Sequence, residues 1–330
     1  MLSPMNETKQ AFTPDQQLLS NKQLELTIIL PIYNEEENVE ALISDIIDTL
    51  EYHGKSFEVL AVNDGSKDNT LAILRTLQKK YPKYLRIASH IVNKGNGAAL
   101  RTGIRNARGD IVVTMDADGQ HSPKDILELI SHIPPFDMVV AARTKSYQGK
   151  WHRNLANRFY NGLASWLTRV EILDLTSGFR AIRRSAVSHF LHLFPSGFST
   201  PTTITMALLK AGYNVVFLPI EVKPRTKGKS KINLFRDGGR FVTIILRVIM
   251  LYDPLRIFIP ATVTLFTLGI LTMIIGIVVA NRLVVPGSSV VLFMSSLMIF
   301  LLGLVSSQIS NATIFYFGDE SVVIYDEQIE

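Results

Sequence analysis

The chain lacks cysteine entirely, which excludes a disulfide scaffold, a thiolate metal site and a cysteine nucleophile. Residues 1–23 are polar and have no apolar central region, so no signal peptide is indicated and we expect a flexible leader there. The two common phosphate loops are also missing: no G-x-x-x-x-G-K-[ST] occurs, and Leu100 stands where a G-x-G-x-x-G starting at Gly95 needs glycine. Disorder as the dominant state is excluded, because 47% of the 330 residues are hydrophobic.

Charged residues are absent from two long segments. Ile257–Ala280 and Leu283–Gly318 contain no Asp, Glu, Lys or Arg. At about 1.5 Å per helical residue, each is long enough to cross a hydrocarbon core of ~30 Å. We expect two spans, Ile257–Ala280 and Val290–Phe315, which form a hairpin at 257–317 with a tight turn at Pro286–Ser289. Two buried helices of a soluble protein are the alternative.

Basic residues are distributed unevenly. Lys and Arg total 34 against 29 acidic residues, and arginines crowd the approach to the first span, whereas the loop between the spans offers only Arg282. By the positive-inside rule, we expect the N-terminal domain and both termini in the cytoplasm, with an acidic tail at 318–330. Three arginines of 232–256 share one helical face, which predicts amphipathic juxtamembrane helices against the lipid bilayer, or else an ordinary solvated helix face. These are Arg236, Arg240 and Arg247.

The region 24–231 alternates short β-rich runs with stretches of helical periodicity, which predicts a parallel α/β sheet. The expected strands are Leu26–Ile32, Phe57–Val62, Leu85–His90, Ile111–Met115, Asp137–Ala141 and Asn214–Val222. The expected helices are Val39–Leu50, Leu71–Lys80, Asn154–Leu167 and Pro201–Lys210.

Polar motifs follow the first four expected strands. Because ligands bind beyond the carboxyl ends of parallel strands, we expect these loops to converge on one crevice. The third loop leads into a helix, with Lys94 near the substrate and Gly97 allowing close packing. The four motifs are Tyr33-Asn34-Glu35, Asn63-Asp64-Gly65-Ser66, Asn93-Lys94-Gly95 and Asp116-Ala117-Asp118.

The fourth motif has the composition of a cation site. Asp116 and Asp118 flank a small residue directly after an apolar run, so both carboxylates can reach an ion at the sheet edge. Hard oxygen ligands suit Mg²⁺ or Mn²⁺, and such an ion completes its shell with substrate phosphates, so a diphosphate substrate is inferred. A bare D-x-D also occurs as a simple turn or helix cap. His121 lies either beside the ion or among its ligands.

The motifs in this order resemble the inverting glycosyltransferases of family 2, and within them the polyisoprenyl-phosphate glycosyltransferases. Each motif is short, but their order and spacing over residues 26–235 make the resemblance specific. The two-span hairpin resembles the bacterial branch that charges undecaprenyl phosphate with glucose. The stretches that match, besides the second and third loops, are Pro31–Glu35, Asp116–His121, Asp174–Arg180 and Arg225–Lys231.

The resemblance implies a GT-A fold, a Rossmann-like α/β domain that binds a nucleotide sugar, as the catalytic domain at 24–231. It implies an enzyme of the bacterial inner membrane that moves glucose from UDP-glucose to a polyisoprenyl phosphate, such as undecaprenyl phosphate, for cell-envelope glycosylation. A GDP-mannose-dependent mannose synthase stays open, as do aminoarabinose-type and N-acetylated sugars. Small residues in the spans allow a homo-oligomer, and no nucleic-acid partner is implied.

The resemblance also assigns residues. The nucleotide and donor set comprises Pro31, Tyr33, Glu35, Asp64, Lys94, Ala117, Gln120 and Arg225. The metal-binding residues are Asp116 and Asp118, with Gln120 facing the same ion and diphosphate. The remaining catalytic residues are Arg143 after the fifth strand, Asp174, and Lys231, which with Arg225 lies in a basic loop that would close over the pyrophosphate and the lipid phosphate.

Some of these residues have plainer interpretations. Glu35 and Asp64 also suit the start of a helix, where acids are favoured by the dipole. Asp174 either orients the donor sugar or a basic neighbour, or caps the turn at Thr176-Ser177-Gly178. The basic loop also suits attraction to anionic lipid.

The acceptor determines the expected mechanism. A phosphomonoester is largely dianionic at neutral pH, because its second pKa is near ~6, so no strong general base is needed. In-line placement and stabilisation of the departing nucleoside diphosphate would then carry catalysis, with inversion at the anomeric carbon.

Three other functions compete with this one. A processive polymer synthase would carry a Q-x-x-R-W motif, which Gln148–Trp151 does not fit. A transporter subunit is disfavoured because neither span contains an ionisable residue. A catalytically silent membrane scaffold with a nucleotide-sugar fold is opposed by the intact acidic motif and basic loop.

Overall fold

The computed structural model describes residues 24–143, 161–166, 168–195, 200–222, 250, 253–283 and 285–315. The strands are β1 (Leu26–Ile32), β2 (Phe57–Asn63), β3 (Leu85–Ser89), β4 (Ile111–Thr114), β5 (Met138–Arg143), β6 (Arg180–Arg183) and β7 (Val215–Ile220). The helices are α1 (Val39–Tyr52), α2 (Thr70–Lys80), α3 (Asn96–Asn106), α4 (Asp125–Ser131), α5 (Arg184–Ser188), α6 (Thr200–Lys210), α7 (Leu255–Ala280) and α8 (Gly287–Phe315).

The seven strands form one sheet in the order β3-β2-β1-β4-β6-β5-β7. All neighbouring pairs are parallel except those of β6, which runs antiparallel between β4 and β5. The expectation of a wholly parallel sheet is therefore wrong at β6. This strand has only four residues, two of them arginines, so its sequence carries no β-rich apolar run.

Alternation along the strands builds two cores, one on each face of the sheet. Ile29 belongs to the cluster covered by α3, α5 and α6, whereas Ile28 and Leu30 belong to the cluster covered by α1, α2 and α4. The helix α1 forms because its buried residues recur at helical spacing, from Val39 through Leu42, Ile43, Ile46 and Ile47 to Leu50. The expected strands and the first two helices are confirmed to within a few residues.

The helices α7 and α8 form an antiparallel hairpin with small residues between them. Gly269 faces the ring of Phe293, and Gly303 faces Phe258, at positions where an added Cβ would lie under 3 Å from the partner side chain. Ser296 donates to the Thr262 carbonyl at 3.0 Å. Most apolar side chains of both helices point outward.

The break between the helices differs from the expected one. Asn281 ends α7 in the left-handed conformation (φ 48°), and α8 begins at Gly287. The amides of Ser289 and Val290 bond to the Pro286 carbonyl, so Gly287-Ser288-Ser289 form the first turn of α8 rather than the loop. A proline before a first helical turn is favourable, because its missing N–H would be unpaired there in any case.

Candidate active site

The loops after β1 and β2 are bonded to each other. Asn34, with φ 54°, accepts the Lys67 amide on its side chain at 2.8 Å and donates its own amide to Ser66 Oγ at 3.0 Å. The Glu35 amide donates to Thr70 Oγ1 at 3.0 Å. These bonds hold both loops in one conformation at the carboxyl edge of the sheet.

Tyr33 and Glu35 lie half-buried at this edge, directly after β1. The Glu35 carboxylate accepts the side-chain amide of Asn38 at 2.9 Å, and its carbonyl accepts the amides of Asn38 and Val39. Glu35 therefore takes part in starting α1, as the plainer interpretation expects, while it stays at the crevice. Pro31, inside β1, is half-buried.

Asp64 is buried and joins the second loop to the third. Its carboxylate accepts the amides of Lys94 and Gly95 at 2.9 and 2.8 Å, and His90 Nδ1 lies 2.7 Å from it. The other ring nitrogen of His90 lies 2.9 Å from Thr102 Oγ1. Asp64 thus sets the path of the Lys94 loop, and the Lys94 side chain is exposed. The sequence motifs do not single out His90, although its position at the end of an expected strand is a usable signal.

Gly65 is needed for the same junction. Its φ is 68°, and a Cβ at this position would lie 2.6 Å from the Asn93 amide nitrogen. Only glycine combines this backbone conformation with so close an approach of two loops.

The acidic motif follows β4 at the same edge. Asp118 is 8% exposed and accepts the Gln120 amide at 3.2 Å, while Asp116 is half-buried. Ala117 between them is buried. Behind Asp116 the backbone of Gly178 approaches so closely that a Cβ there would lie 2.7 Å from Asp116 Oδ2. The turn that contains Gly178 thereby limits where the Asp116 carboxylate can lie.

His121 lies in an apolar setting beside this motif. Its ring is 4.8 Å from the ring of Phe179, and its Nδ1 atom is buried with no hydrogen-bond partner. Burial lowers the pKa of His121 to about 4, against the opposing charge of Asp118, so the ring is neutral at physiological pH.

The donor atoms at the acidic motif fit a hard divalent cation. Two carboxylates and the Gln120 amide oxygen are ligands that Mg²⁺ and Mn²⁺ accept, and phosphate oxygens are the usual remainder of their shell. Among the residues described, no group of three or more His, Asp or Glu side chains is arranged to hold a metal by itself. The motif fits an ion that is shared with a bound ligand.

Arg143 and Asp174 form a bidentate ion pair at the edge of the crevice. Arg143 Nε donates to Oδ2 at 2.6 Å and Nη2 donates to Oδ1 at 3.0 Å. The hydroxyl and amide of Thr176 also donate to Oδ1. Burial alone would raise the pKa of Asp174, but the bonds and charge of Arg143 outweigh it and hold that pKa below its usual range. Asp174 thus orients a basic neighbour and also shapes its own turn.

Arg180 lies beneath this group and was not identified from the sequence as a site residue. It is 1% exposed and donates to the carbonyls of Leu175, Ser177 and Pro201 and to Thr205 Oγ1. Burial lowers its pKa to about 10, with Asp174 and Asp116 opposing the shift, so the guanidinium stays charged at neutral pH. The signal in the sequence was an arginine at the end of the Asp174–Arg180 motif.

Four loops, the end of β5 and the turn before β6 therefore meet at one edge of the sheet. The structure brings together Tyr33, Glu35, Asp64, Lys94, Asp116, Asp118, Gln120, Arg143 and Asp174 at that edge. The expected residues Arg225 and Lys231, and most of the expected juxtamembrane segment 232–256, lie outside the described residues.

A mixed α/β sheet of this order, with acidic loops at the carboxyl ends of its strands, defines a GT-A type of glycosyltransferase fold. Solved structures of glucosyl-3-phosphoglycerate synthase from Mycobacterium tuberculosis share it. One contains Mn²⁺, UDP-glucose and phosphoglyceric acid (TM-score 0.54, 18% identity, 73% of this chain and 85% of that chain). Another contains Mn²⁺, UDP and phosphoglyceric acid (TM-score 0.53, 18% identity, 73% and 83%).

The chain belongs to Glycosyl transferase family 2, which matches residues 27–191. Residues 253–312 match a second family, the GtrB C-terminal hairpin. With these two matches and the undecaprenyl-phosphate transferase described next, the resemblance to the polyisoprenyl-phosphate glycosyltransferases of family 2 is confirmed.

Curated relatives agree with this assignment. The Undecaprenyl-phosphate 4-deoxy-4-formamido-L-arabinose transferase of Edwardsiella ictaluri is 28% identical over 64% of this chain. An uncharacterized glycosyltransferase of Synechocystis sp. is 31% identical over 64% of this chain. The chain spans 64% and 66% of the length of these two relatives.

Proposed function

We propose that this protein is a membrane-anchored inverting glycosyltransferase that moves a sugar from a nucleoside-diphosphate sugar to a polyisoprenyl phosphate such as undecaprenyl phosphate. The observation that carries the proposal is that one chain contains both a family 2 domain, with its acidic crevice, and a GtrB-type apolar hairpin. The relative from Edwardsiella ictaluri, named as a transferase to undecaprenyl phosphate, supports the acceptor class.

The donor would lie across the loops after β1, β2 and β4. We expect Tyr33 to lie against the base, and Glu35 and Asp64 to offer hydrogen bonds at the same edge. Asp116, Asp118 and Gln120 would hold Mg²⁺ or Mn²⁺ with the diphosphate. When bound, the ion would offset the negative charge that develops on the departing nucleoside diphosphate. Solved neighbours of the same fold contain Mn²⁺ and UDP, which supports a divalent ion and a nucleoside diphosphate as ligands.

The reaction is one displacement. An oxygen of the acceptor phosphate attacks the anomeric carbon, the bond from that carbon to the diphosphate oxygen breaks, and the electron pair leaves with the nucleoside diphosphate. No proton has to be removed, because the acceptor is already dianionic. Arg143, held by Asp174, would supply a fixed cation at the same edge as the acidic motif. The Arg225–Lys231 loop is expected to add further cations around the phosphates.

Glucose on UDP is the donor we propose, because the two-span hairpin resembles the bacterial glucosyl branch. Solved neighbours of the same fold contain UDP-glucose. The relative with the formamido-arabinose name makes that sugar the first alternative, and GDP-mannose is the second.

The proposal is tested by donor competition. Purified protein in detergent receives undecaprenyl phosphate, Mg²⁺ or Mn²⁺, and radiolabelled UDP-glucose, UDP-4-deoxy-4-formamido-L-arabinose or GDP-mannose in parallel. We expect label from UDP-glucose in the extracted lipid, and its loss with EDTA.

Two variants test whether the transfer depends on the acidic motif. Asp118→Asn should abolish transfer, whereas Asp48→Asn, an exposed acid on α1, should leave it unchanged. Nucleotide binding without label from any donor would instead support the silent scaffold.

A further inference from the structure

Three large apolar side chains are exposed on one short stretch of the soluble domain. Trp166 is 53% exposed, Val170 37% and Leu173 43%, and we call these three residues the Trp166 surface. Single exposed apolar residues are ordinary, so exposure alone does not indicate a partner. The neighbours of Trp166 make this case different.

Trp166 is in contact with the first residues of the membrane hairpin. The guanidinium of Arg256 lies 5.0 Å over the Trp166 ring, and the same group donates to the Trp166 carbonyl. Arg256 is the second residue of α7, and its Nε lies 3.7 Å from Oδ2 of Asp253. The next charged residue along the chain is Arg282, beyond the whole helix.

This contact fixes the depth of Trp166. An arginine at the first turn of an otherwise uncharged span lies at the level of the lipid head groups, where its charge is hydrated and near phosphates. A ring 5.0 Å from that guanidinium lies at the same level. Indole rings favour this zone, because they combine an apolar face with a polar N–H.

The end of α8, away from the turn of the hairpin, also contacts the domain. Lys210 at the end of α6 donates to Ser310 near the end of α8. The domain therefore contacts both ends of the hairpin that lie away from its turn, and the side that carries Trp166 is held toward the bilayer.

We propose that the Trp166 surface enters the head-group region of a phospholipid bilayer and acts as a membrane contact additional to the two spans. The proposal rests on α7 and α8 crossing the membrane. The turn after Trp166 is internally fixed, since Ser165 Oγ accepts the Ile172 amide at 2.9 Å and Asn161 Nδ2 donates to the Leu173 carbonyl at 2.5 Å.

The same turn connects this contact to the crevice. Leu173 precedes Asp174, which holds Arg143. Insertion of the Trp166 surface into the head-group region would therefore determine the distance between the Arg143–Asp174 pair and the lipid phosphates. A phosphate carried by a membrane lipid would meet the crevice without leaving the interface.

Fluorescence tests the contact directly. The chain has two tryptophans, so Trp151→Phe leaves Trp166 as the single fluorophore. The full chain is reconstituted in phosphatidylcholine and phosphatidylglycerol vesicles whose acyl chains are brominated near the head group or near the chain ends. We expect strong quenching by the shallow bromines, weaker quenching by the deep ones, and protection from aqueous iodide.

Two outcomes would overturn the proposal. Iodide quenching without bromine quenching would show that Trp166 faces water. Protection from both quenchers would show that protein, such as the segment 232–249, covers it. The Trp166→Phe variant, in which only Trp151 emits, controls for signal from elsewhere, and the test does not depend on turnover.

The same proposal predicts a change in enzyme kinetics. Trp166→Asp should raise the apparent KM for polyisoprenyl phosphate in vesicles severalfold, and should leave the KM for the nucleotide sugar unchanged. Tyr52→Ala, which removes a more exposed aromatic ring at the end of α1 (87%, against 53% for Trp166), is the control. An equal loss in both variants, or none in Trp166→Asp, would contradict a role in acceptor presentation.

Discussion

Gly178 and Asp116 are packed so closely that the turn after Asp174 and the acidic motif behave as one unit. A Cβ at Gly178 would lie 2.7 Å from Asp116 Oδ2, and Thr114 Oγ1 donates to the Gly178 carbonyl at 2.7 Å. At the scale of single residues, the position of the Asp116 carboxylate, which we propose binds the metal, is therefore limited by a glycine more than sixty residues away in the chain.

We predict that Gly178→Ala lowers transfer about tenfold to a hundredfold, because a displacement of the Asp116 carboxylate misplaces the diphosphate. The apparent Tm in detergent should change little. Gly162→Ala is the control, since nothing lies within 4 Å of the Cβ it adds. Similar activity of the two variants would argue against a role for Asp116 in positioning.

The Arg143–Asp174 pair gives a prediction on pH. The pKa of Asp174 is lower in the folded state than the ordinary value of 3.8. Ionised Asp174 therefore stabilises the fold at pH values above 3.8, and this contribution is lost as the pH falls through the lower, folded-state pKa. Asp174→Asn should cost on the order of 2 kcal/mol at pH 7 and lose less stability on acidification than the wild type. Denaturant unfolding at pH 7 and below pH 4 measures both effects. Parallel curves for the two proteins would exclude the pair as a source of stability.

Among the elements, β6 and α6 are joined by one buried guanidinium. Arg180 donates to carbonyls of the Asp174 turn and of α6, so its removal leaves several buried acceptors unpaired. We predict that Arg180→Met destabilises the protein by roughly 2–4 kcal/mol. Arg75→Met, an exposed arginine on α2, should be nearly neutral. Equal unfolding midpoints would show that the carbonyls find other partners.

The pairing of α7 with α8 can be tested by cross-linking, because the chain has no cysteine of its own. Thr272 and Ser289 face each other with their hydroxyl oxygens 3.0 Å apart. The Thr272→Cys/Ser289→Cys variant should form a disulfide under mild oxidant, seen as loss of maleimide labelling. In the Thr272→Cys/Met294→Cys variant both thiols should stay reactive, since Met294 points outward. The opposite pattern would contradict the register.

At the scale of the whole molecule, both domain-side ends of the hairpin contact the soluble domain, through Arg256 and Lys210. The domain and the loop between the spans should therefore lie on opposite sides of the membrane. By the positive-inside rule, the excess of arginines before α7 in the sequence predicts a cytoplasmic domain, and this side of the membrane is our proposal.

Labelling tests this orientation. A membrane-impermeant maleimide should react with the Leu283→Cys variant in intact spheroplasts, and with the Tyr52→Cys variant only after lysis; both side chains are exposed. The reverse pattern would place the domain outside. Labelling of both variants before lysis would show that the hairpin does not cross.

Sequence alone determined the two long apolar segments, the parallel strands and the acidic motif, because hydrophobic periodicity and loop residues are local properties of the chain. The tertiary structure decided three other features: the antiparallel β6, the ion pair of Arg143 with Asp174, and the burial of Arg180. Each depends on residues distant in sequence. A four-residue strand with two arginines has no periodicity to read, and a buried charge is tolerated only where the fold brings carbonyls and carboxylates around it.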